Sequence, residues 1–552
     1  MSAIHPIGKQ IDAVESTAQQ LLLVAPPGCG KTEVIAMRAH HLVTQGTIRE
    51  GRRLLAITYS KRARDNMARR IQQSLGHERT RGSVTVQNFH GLSARIVRAH
   101  GRTLGIPEDV LLPSKRWFSD TVSPLTSDWD ARGEAETLLR KLKSQPIDDD
   151  ELLELVVASR NQIAFKVEEA RRLQNKLDYP DLLRHAQRLL HVPQIANLYQ
   201  QHFDALLVDE FQDLSQQQLD IVSLAAPRNA MYVGDPLQGI YSWAGAEPAT
   251  VEAELVARCA ERVDLDISYR SSPEVLAVVN AVARPLGAVE LSAADPDAWD
   301  PSGHAYAFSF DTDVEEAAGI VRVARRLVRK YPTESIGVIT RSRYRRGQVD
   351  IAMSAAADIP VQTWDMSLDT PGLLTTLKSA ARGIKTSKPL TEQLQLLFER
   401  AAAVIGDDDV ETINELTDAI SILREKAVEG ESIRDALARF REVHVTDAIA
   451  PGVHLLNAHI GKGQQFDWVV VLGLEEGSIP AFQAKTAEEI AEEERVLMVM
   501  LSRAKRGLII TKSARTTNKY GLRVQRESRW WSTVAGATET VATATENLVR
   551  GT

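Results

Sequence analysis

The segment at residues 24–32, VAPPGCGKT, constrains the fold of this chain more than any other feature. The apolar run QQLLLVA before it predicts a buried parallel strand, and KTEVIAMRAHHLV after it has the apolar spacing of a helix. Glycines at a strand-to-helix turn let phosphate approach backbone N–H groups and the positive end of a helix dipole. The segment therefore predicts a nucleotide site in an α/β fold, formed by Ala25, Pro26, Pro27, Gly28, Cys29, Gly30, Lys31 and Thr32.

Within this loop, Lys31 is placed to reach the outer phosphates and Thr32 to ligate Mg²⁺. Ala25 stands where the usual G-x-x-x-x-G-K-[ST] pattern has its first glycine. That position requires only a small side chain, so the substitution is tolerable. A chance Gly-Lys-Thr at a helix start is the alternative, and the agreement of strand, loop and helix disfavours it.

A second signal is FDALLVDEFQDLS, an apolar strand that ends in Asp209 and Glu210. In P-loop ATPases, an Asp at such a strand end holds Mg²⁺ and an adjacent carboxylate orients the attacking water. An isolated Asp-Glu pair often marks only a solvated strand end. Together with the P-loop, the pair predicts a site for ATP and Mg²⁺.

Composition limits the remaining possibilities. A chain of 552 residues predicts several domains, and 43% apolar with 25% charged residues is typical of globular proteins. Only Cys29 and Cys259 are available, too few for a disulfide framework or a zinc site. Without a bilayer-length apolar run or a signal-peptide core, we expect a cytoplasmic protein with no membrane partner. The formal net charge of −7 means that any nucleic-acid contact must be a local groove.

The string VDEFQD and the motifs around it resemble the UvrD/Rep-like superfamily 1 DNA helicases. The ordered matches run from Gln10 to Arg503 and include GKQIDAV, LLAITYSKRARDNM, VQNFHGL, LDYPDLL, YVGDPLQGIYSWAGA, ISYRSSPEVLAVVN, LLNAHIGKGQQFDWVVVLGLEEGSIP and EEERVLMVMLSRAK. The resemblance implies two RecA-like P-loop lobes, each a parallel sheet flanked by helices and each carrying a helical insertion.

Residue roles at the nucleotide follow from the same resemblance. It implies that Gln10 reads adenine, with Tyr269 beside it, and that Gln238 senses the terminal phosphate. Arg270 and Arg503 are the two arginines expected at the γ-phosphate.

The resemblance also implies a path for single-stranded DNA. Spaced aromatic side chains bind single strands without reading sequence. The residues implied to line this path are Tyr59, Phe89, His90, Trp243 and His459. Taken alone, each aromatic is as readily a core residue and each histidine an ordinary one.

Three positions depart from the family pattern. Ala244 stands where an Arg is usual, Gln465 where a Glu contacts the ribose, and Met498 where a Tyr is common. Gln465 can still hydrogen-bond, but it brings no charge. We expect hydrolysis to survive these changes with altered sugar and base selectivity.

The motif positions predict the domain organisation. Residues 1–102 and 177–264 form the first lobe, and 265–385 and 450–531 form the second. Residues 103–176 and 386–449 are the helical insertions, and the Ala/Thr-rich tail at 532–552 is predicted to be disordered.

The implied function is an ATP-dependent single-stranded DNA translocase or helicase, with 3′-to-5′ movement by family resemblance alone. Its expected partners are single-stranded or tailed duplex DNA. A DNA-repair helicase is one setting. Another is the motor of a nuclease or phage-defence complex, since the short format resembles the helicase subunit of Gabija-type systems. An ATP-dependent DNA sensor that signals to a partner nuclease without processive unwinding is the alternative.

Cys29 leaves two interpretations open. A thiol near Lys31 and a helix N-terminus can have a lowered pKa and become reactive. The favoured interpretation is a serine-sized filler of the loop without a redox role.

Overall fold

The structure is a computed structural model. It describes residues 6–107, 110, 115–122, 124–126, 128–240, 247–299, 303–364, 367–368, 373–385, 388–405, 416, 419–420, 423–424, 433–438, 441–442, 449–458, 464–518 and 521–538.

Six parallel strands of the described chain form the first sheet. They are β1 (Gln20–Val24), β2 (Arg53–Thr58), β3 (Val84–Asn88), β4 (Phe203–Asp209), β5 (Ala230–Gly234) and β6 (Glu261–Asp264). Their order across the sheet is β3-β2-β4-β5-β1-β6. Because β4, β5 and β1 are adjacent, the segments that follow them meet at one edge of the sheet, where ligands of parallel α/β folds bind.

Helices cover both faces of this sheet and build the first insertion. They are α1 (Lys9–Glu15), α2 (Lys31–Thr44), α3 (Lys61–Leu75), α4 (His77–Ser83), α5 (Phe89–His100), α6 (Lys115–Val122), α7 (Trp129–Lys143), α8 (Asp149–Ala158), α9 (Gln162–Leu173), α10 (Tyr179–Leu190), α11 (Pro193–His202), α12 (Gln216–Ala225) and α13 (Pro248–Arg258). Helices α6 to α9 enclose a small apolar core of their own.

The remaining strands form the second sheet and two short pairs. They are β7 (Ile267–Ser268), β8 (Ser292–Ala293), β9 (His304–Thr312), β10 (Ser335–Thr340), β11 (Val361–Thr363), β12 (Ser367–Leu368), β13 (Arg441–Glu442), β14 (Gly452–Asn457), β15 (Phe466–Leu472), β16 (Ala504–Asn518) and β17 (Gly521–Val524). The second sheet has the order β11-β14-β10-β15-β16-β17, and β9 also pairs with β16. Every described pair in it is parallel except β16–β17.

The second half contributes α14 (Pro273–Ala283), α15 (Asp313–Lys330), α16 (Arg343–Ala355), α17 (Leu373–Ala380), α18 (Leu390–Ile405), α19 (Ile433–Ala438), α20 (Ala487–Leu501) and α21 (Trp531–Gly536). The predicted α/β fold with two parallel sheets flanked by helices is confirmed.

The tail differs from its prediction at its start. Residues 532–536 belong to α21, and Val534 is fully buried. An apolar side chain with a core to enter overrides the Ala/Thr-rich composition that suggested disorder. Residues 539–552 lie outside the described chain. In the part of the chain that the structure describes, no helix is long and apolar enough to span a membrane.

Candidate nucleotide site between the lobes

The loop between β1 and α2 is a cradle that only glycine fits at two positions. Gly28 and Gly30 have φ of 87° and 81°, in the left-handed region that favours glycine. A Cβ at Gly28 would lie 2.5 Å from the Ser268 hydroxyl oxygen. Ala25 is fully buried, and its N–H donates to the Gly234 carbonyl at 2.7 Å. A small side chain is therefore what position 25 requires.

Gln10 and Cys29 support this cradle from behind. The Gln10 side-chain amide donates to the Cys29 carbonyl at 3.2 Å. The Cys29 thiol belongs to the apolar core and is 1% exposed. Burial raises its pKa to about 12, and the cations Arg270 and Lys31 do not offset this. The structure favours the filler interpretation over a reactive thiol.

Lys31 and Glu210 meet at the mouth of the cradle. The Lys31 Nζ lies 2.9 Å from the Glu210 Oε2. Burial lowers the pKa of Lys31, but the carboxylates of Glu210, Asp235 and Asp209 outweigh it and raise that pKa overall. Glu210 has φ of 56°, a conformation that non-glycine residues rarely adopt and that occurs at functional sites.

Asp209 has the properties expected of a cation ligand. Its Oδ1 is buried and has no hydrogen-bond partner. Burial, followed by the charge of Glu210, raises its pKa to about 7. Such an oxygen is costly to bury unless a cation or donor reaches it. Thr32 is the second residue of α2 and is half-buried.

The described residues contain no group of three or more His, Cys, Asp or Glu side chains able to hold a metal by themselves. A site with few protein ligands suits Mg²⁺, which keeps waters and binds phosphate oxygens.

Gln212 and Asp235 complete the site, and neither was predicted from the sequence. The Gln212 side chain donates to Glu210 Oε2 at 2.6 Å and accepts from the Asp235 N–H at 3.0 Å. Asp235 Oδ2 in turn accepts from the Gln238 side chain at 2.8 Å. A signal was present, because VDEFQD and VGDPLQ follow two strands whose carboxyl ends meet.

The segment after β7 joins both lobes at the cradle. The Tyr269 N–H donates to the Gly28 carbonyl at 2.9 Å, and the Ser271 hydroxyl donates to the Ala504 carbonyl at 2.7 Å. Tyr269 is 46% exposed.

Burial lowers the pKa of Arg270 to about 10, although Cys29 and Glu210 raise it. Among the described residues, no carboxylate forms a salt bridge with Arg270. A half-buried cation with no salt bridge in the described part of the chain is suited to bind phosphate.

The other predicted nucleotide residues lie on the second lobe. Arg503 is 3% exposed, and its guanidinium donates to the Ala458 carbonyl. Gln465 is half-buried just before β15, and Met498 is buried in α20. Arg495 was not predicted from the sequence. Its Nε donates to the Gly239 carbonyl of the first lobe at 3.0 Å.

The residues predicted to contact DNA differ in their exposure and contacts. Tyr59 follows β2 and is 42% exposed. The His90 ring stacks on Tyr179 of the LDYPDLL motif with centroids 3.8 Å apart. Trp243 and His459 lie outside the described residues.

Phe89 requires a correction. Its side chain is fully buried in the core of the first lobe, against residues of the sheet and of α10. A ring without an exposed face cannot stack on a base, so we withdraw the predicted DNA contact of Phe89. The resemblance matched the motif VQNFHGL but did not fix the direction of its side chains, and the first residue of α5 points into the core.

Comparisons with known proteins agree with this geometry. The chain matches the UvrD/REP helicase N-terminal domain over residues 8–255 and the UvrD-like helicase C-terminal domain over residues 374–515.

Three similar proteins come from different bacteria. The ATP-dependent DNA helicase PcrA of Leuconostoc citreum is 32% identical over 50% of this chain and 38% of that protein. DNA helicase II of Escherichia coli (strain K12) is 30% identical over 50% of this chain and 39% of its own. PcrA of Staphylococcus aureus (strain Mu50) is 24% identical over 92% of this chain and 83% of that protein. The first two alignments thus span less than half of each relative.

Proposed function

Because the chain belongs to the UvrD/Rep-like superfamily 1 helicase family, we propose that it hydrolyses ATP to move along single-stranded DNA. The observation that carries this proposal is the cluster at the cradle. There Lys31, Glu210 and the unpartnered oxygen of Asp209 face the loop that only glycines fit. The relatives named for ATP-dependent DNA helicase activity support the same assignment.

ATP would lie with its phosphates on the cradle. Lys31 would exchange Glu210 for the outer phosphates, which releases the Glu210 carboxylate. Glu210 would then orient a water molecule for attack on the γ-phosphorus and accept its proton as the bond to ADP breaks. Asp209 and Thr32 would hold Mg²⁺, which offsets charge on the phosphate oxygens.

Movement would follow from closure of the lobes around the nucleotide. Arg270 and Arg503 would both approach the γ-phosphate only in a closed state, and hydrolysis removes the anion that favours closure. Single-stranded DNA held on both lobes would advance with each cycle. We propose 3′-to-5′ movement from the family resemblance and a cytoplasmic setting from the DNA substrate.

The alternative uses the same site for a different output. A DNA sensor would close on ATP and DNA and signal to a partner nuclease without processive unwinding. The repair and phage-defence settings differ in that partner. Compact insertions offer little area for a duplex, since specific DNA interfaces commonly bury ~1,000 Å² or more. We therefore propose translocation with weak unwinding by the isolated chain.

Stimulation of hydrolysis by nucleic acid tests the proposal. We expect single-stranded DNA to stimulate turnover strongly and with little sequence preference, and salt to weaken the effect steeply because phosphate contacts release counterions. Equal stimulation by single-stranded RNA would contradict the DNA assignment. Strand displacement on 3′-tailed and 5′-tailed duplexes then tests polarity, and translocation without displacement would favour the sensor.

A further inference from the structure

A chain of hydrogen bonds leads from the phosphate cradle to the turn that follows β5. It begins at Lys31 and Glu210 and continues through Gln212 to Asp235 and Gln238. None of its donor–acceptor distances exceeds 3.0 Å, the value for the Asp235 N–H to Gln212 bond. A fully buried Gln212 has no room to leave this arrangement, because a Cβ at Gly234 would lie 2.4 Å from its side-chain oxygen.

The turn that carries Gln238 is held equally firmly. The Gln238 and Gly239 N–H groups donate within the turn to Asp235 and Pro236 at 2.9 and 3.2 Å. A Cβ at Gly239 would lie 3.0 Å from Pro248 Cβ, so this position is closely packed. The Gly239 carbonyl therefore has a fixed direction.

Arg495 of the second lobe binds that carbonyl. Its helix, α20, packs against the turn Pro236–Gln238, and Leu237 of this turn contacts the same apolar core as the buried face of α20. The Arg495 side chain is half-buried and forms no salt bridge among the described residues, although burial raises the pKa of the neighbouring Glu494 and the charge of Arg495 acts to lower it. Its hydrogen bond to the Gly239 carbonyl, at 3.0 Å, crosses between the lobes.

We propose that Arg495 is a positioning residue through which the second lobe fixes the Gln238 turn, and through it Glu210. A change at the phosphates would move Gln238 and alter the Arg495 contact, and lobe movement on DNA would act on Glu210 by the same path. This inference rests on the proposed function, since it assigns a route by which DNA stimulates hydrolysis.

The test compares Arg495→Gln with Arg329→Gln as a matched control. Arg329 is also on the second lobe and its side chain is 74% exposed. Its ion pair with Asp358 is long, at 3.9 Å. We expect Arg495→Gln to lower DNA-stimulated kcat about tenfold, the lower end for a hydrogen bond from a charged donor, with KM for ATP nearly unchanged. Arg495→Lys keeps a donor and should recover part of the loss. Arg329→Gln should match the parent protein.

A second measurement does not depend on DNA or turnover. Amide hydrogen exchange at residues 235–240 should accelerate in Arg495→Gln and in Gly239→Ala, whereas Arg329→Gln should leave it unchanged. Unchanged exchange in Arg495→Gln, or stimulated turnover equal to that of the control, would overturn the proposal. A parent protein that DNA does not stimulate would instead contradict the proposed function, and the exchange result would still decide the role of Arg495.

Discussion

Lys31 and Lys143 each lie among several carboxylates, but the two clusters differ in what they leave open. At the cradle, Lys31 is 13% exposed and Glu210 28% exposed. Around Lys143, Glu168 and Asp181 are fully buried, and their oxygens lie 3.0 and 3.2 Å from the Lys143 Nζ. Burial opposes the charge of both lysines, yet their carboxylates raise both pKa values.

The second cluster is closed by further cations. Arg184 pairs with Asp181 at 2.7 Å, and Arg171 approaches Asp181 at 3.4 Å and Asp149 at 3.1 Å. The cluster joins α7 and α9 of the first insertion to α10 of the first lobe. Asp178 and Asp181 also form the capping box of α10, beside Tyr179 and its stack on His90.

This difference in enclosure distinguishes a cluster that stabilises the fold from a cluster that can carry out chemistry. The same residue types stabilise the fold around Lys143, where Glu168 and Asp181 are fully buried and each is ion-paired. At the cradle they form a reactive site, where an Asp209 oxygen has neither a hydrogen bond nor an ion pair and Glu210 is partly exposed. The unpartnered oxygen of Asp209 and the strained backbone of Glu210 mark the cradle as the functional cluster.

The largest expected effect comes from removing the cradle lysine. Lys31→Ala should reduce ATP hydrolysis to the assay background, because the outer phosphates lose their positioned cation. Its free energy of unfolding should change less than that of a Lys143 variant, since water can reach Glu210. ATPase assays and urea unfolding on the same preparation check both statements. Appreciable hydrolysis by Lys31→Ala would remove the distinction between the clusters.

Lys143→Met should produce the opposite pattern. It leaves buried carboxylates without their cation, which costs roughly 3–5 kcal/mol of unfolding free energy. Lys141→Met is the matched control, because Lys141 is an exposed lysine of the same helix. Urea unfolding should separate the two variants clearly. A Lys143→Met protein as stable as Lys141→Met would show that the buried cluster does not stabilise the fold.

A smaller effect is expected from pH. Because the folded-state pKa of Asp209 is raised to about 7, the folded protein binds its proton more tightly than the unfolded chain does. This group therefore lowers stability progressively as pH rises from its ordinary value toward 7. Mg²⁺ needs the carboxylate, so Mg²⁺-dependent nucleotide binding should weaken about tenfold per pH unit below 7.

Titration with a fluorescent nucleotide between pH 5.5 and 8.5 measures this dependence. Asp209→Asn should lose both the Mg²⁺ requirement and the slope. Binding that is flat with pH in the parent protein would indicate that Asp209 does not ligate the cation.

The sequence predicts most of the open cluster, formed by Lys31, Asp209 and Glu210 at the cradle, and little of the closed cluster around Lys143. Lys31, Asp209 and Glu210 occupy positions that strand, loop and helix patterns determine locally. Gln212 and Asp235 depend on which strands are neighbours, and the Lys143 cluster joins helices distant in sequence, so neither follows from local pattern. The predicted DNA contact of Phe89 was wrong for the same reason, because tertiary packing sets the direction of its ring. The family relationship is confirmed by the matched domains.

Glu210→Gln tests the central claim, that the open cluster is the catalytic one, most directly. The amide keeps the size of the side chain and its hydrogen-bonding ability but cannot accept the proton from water. ATP binding and single-turnover hydrolysis should be measured on the same variant in the presence of single-stranded DNA. The account predicts that ATP still binds and that hydrolysis slows by about 10²–10⁴-fold, the contribution of a general base. Hydrolysis at the rate of the parent protein would contradict it.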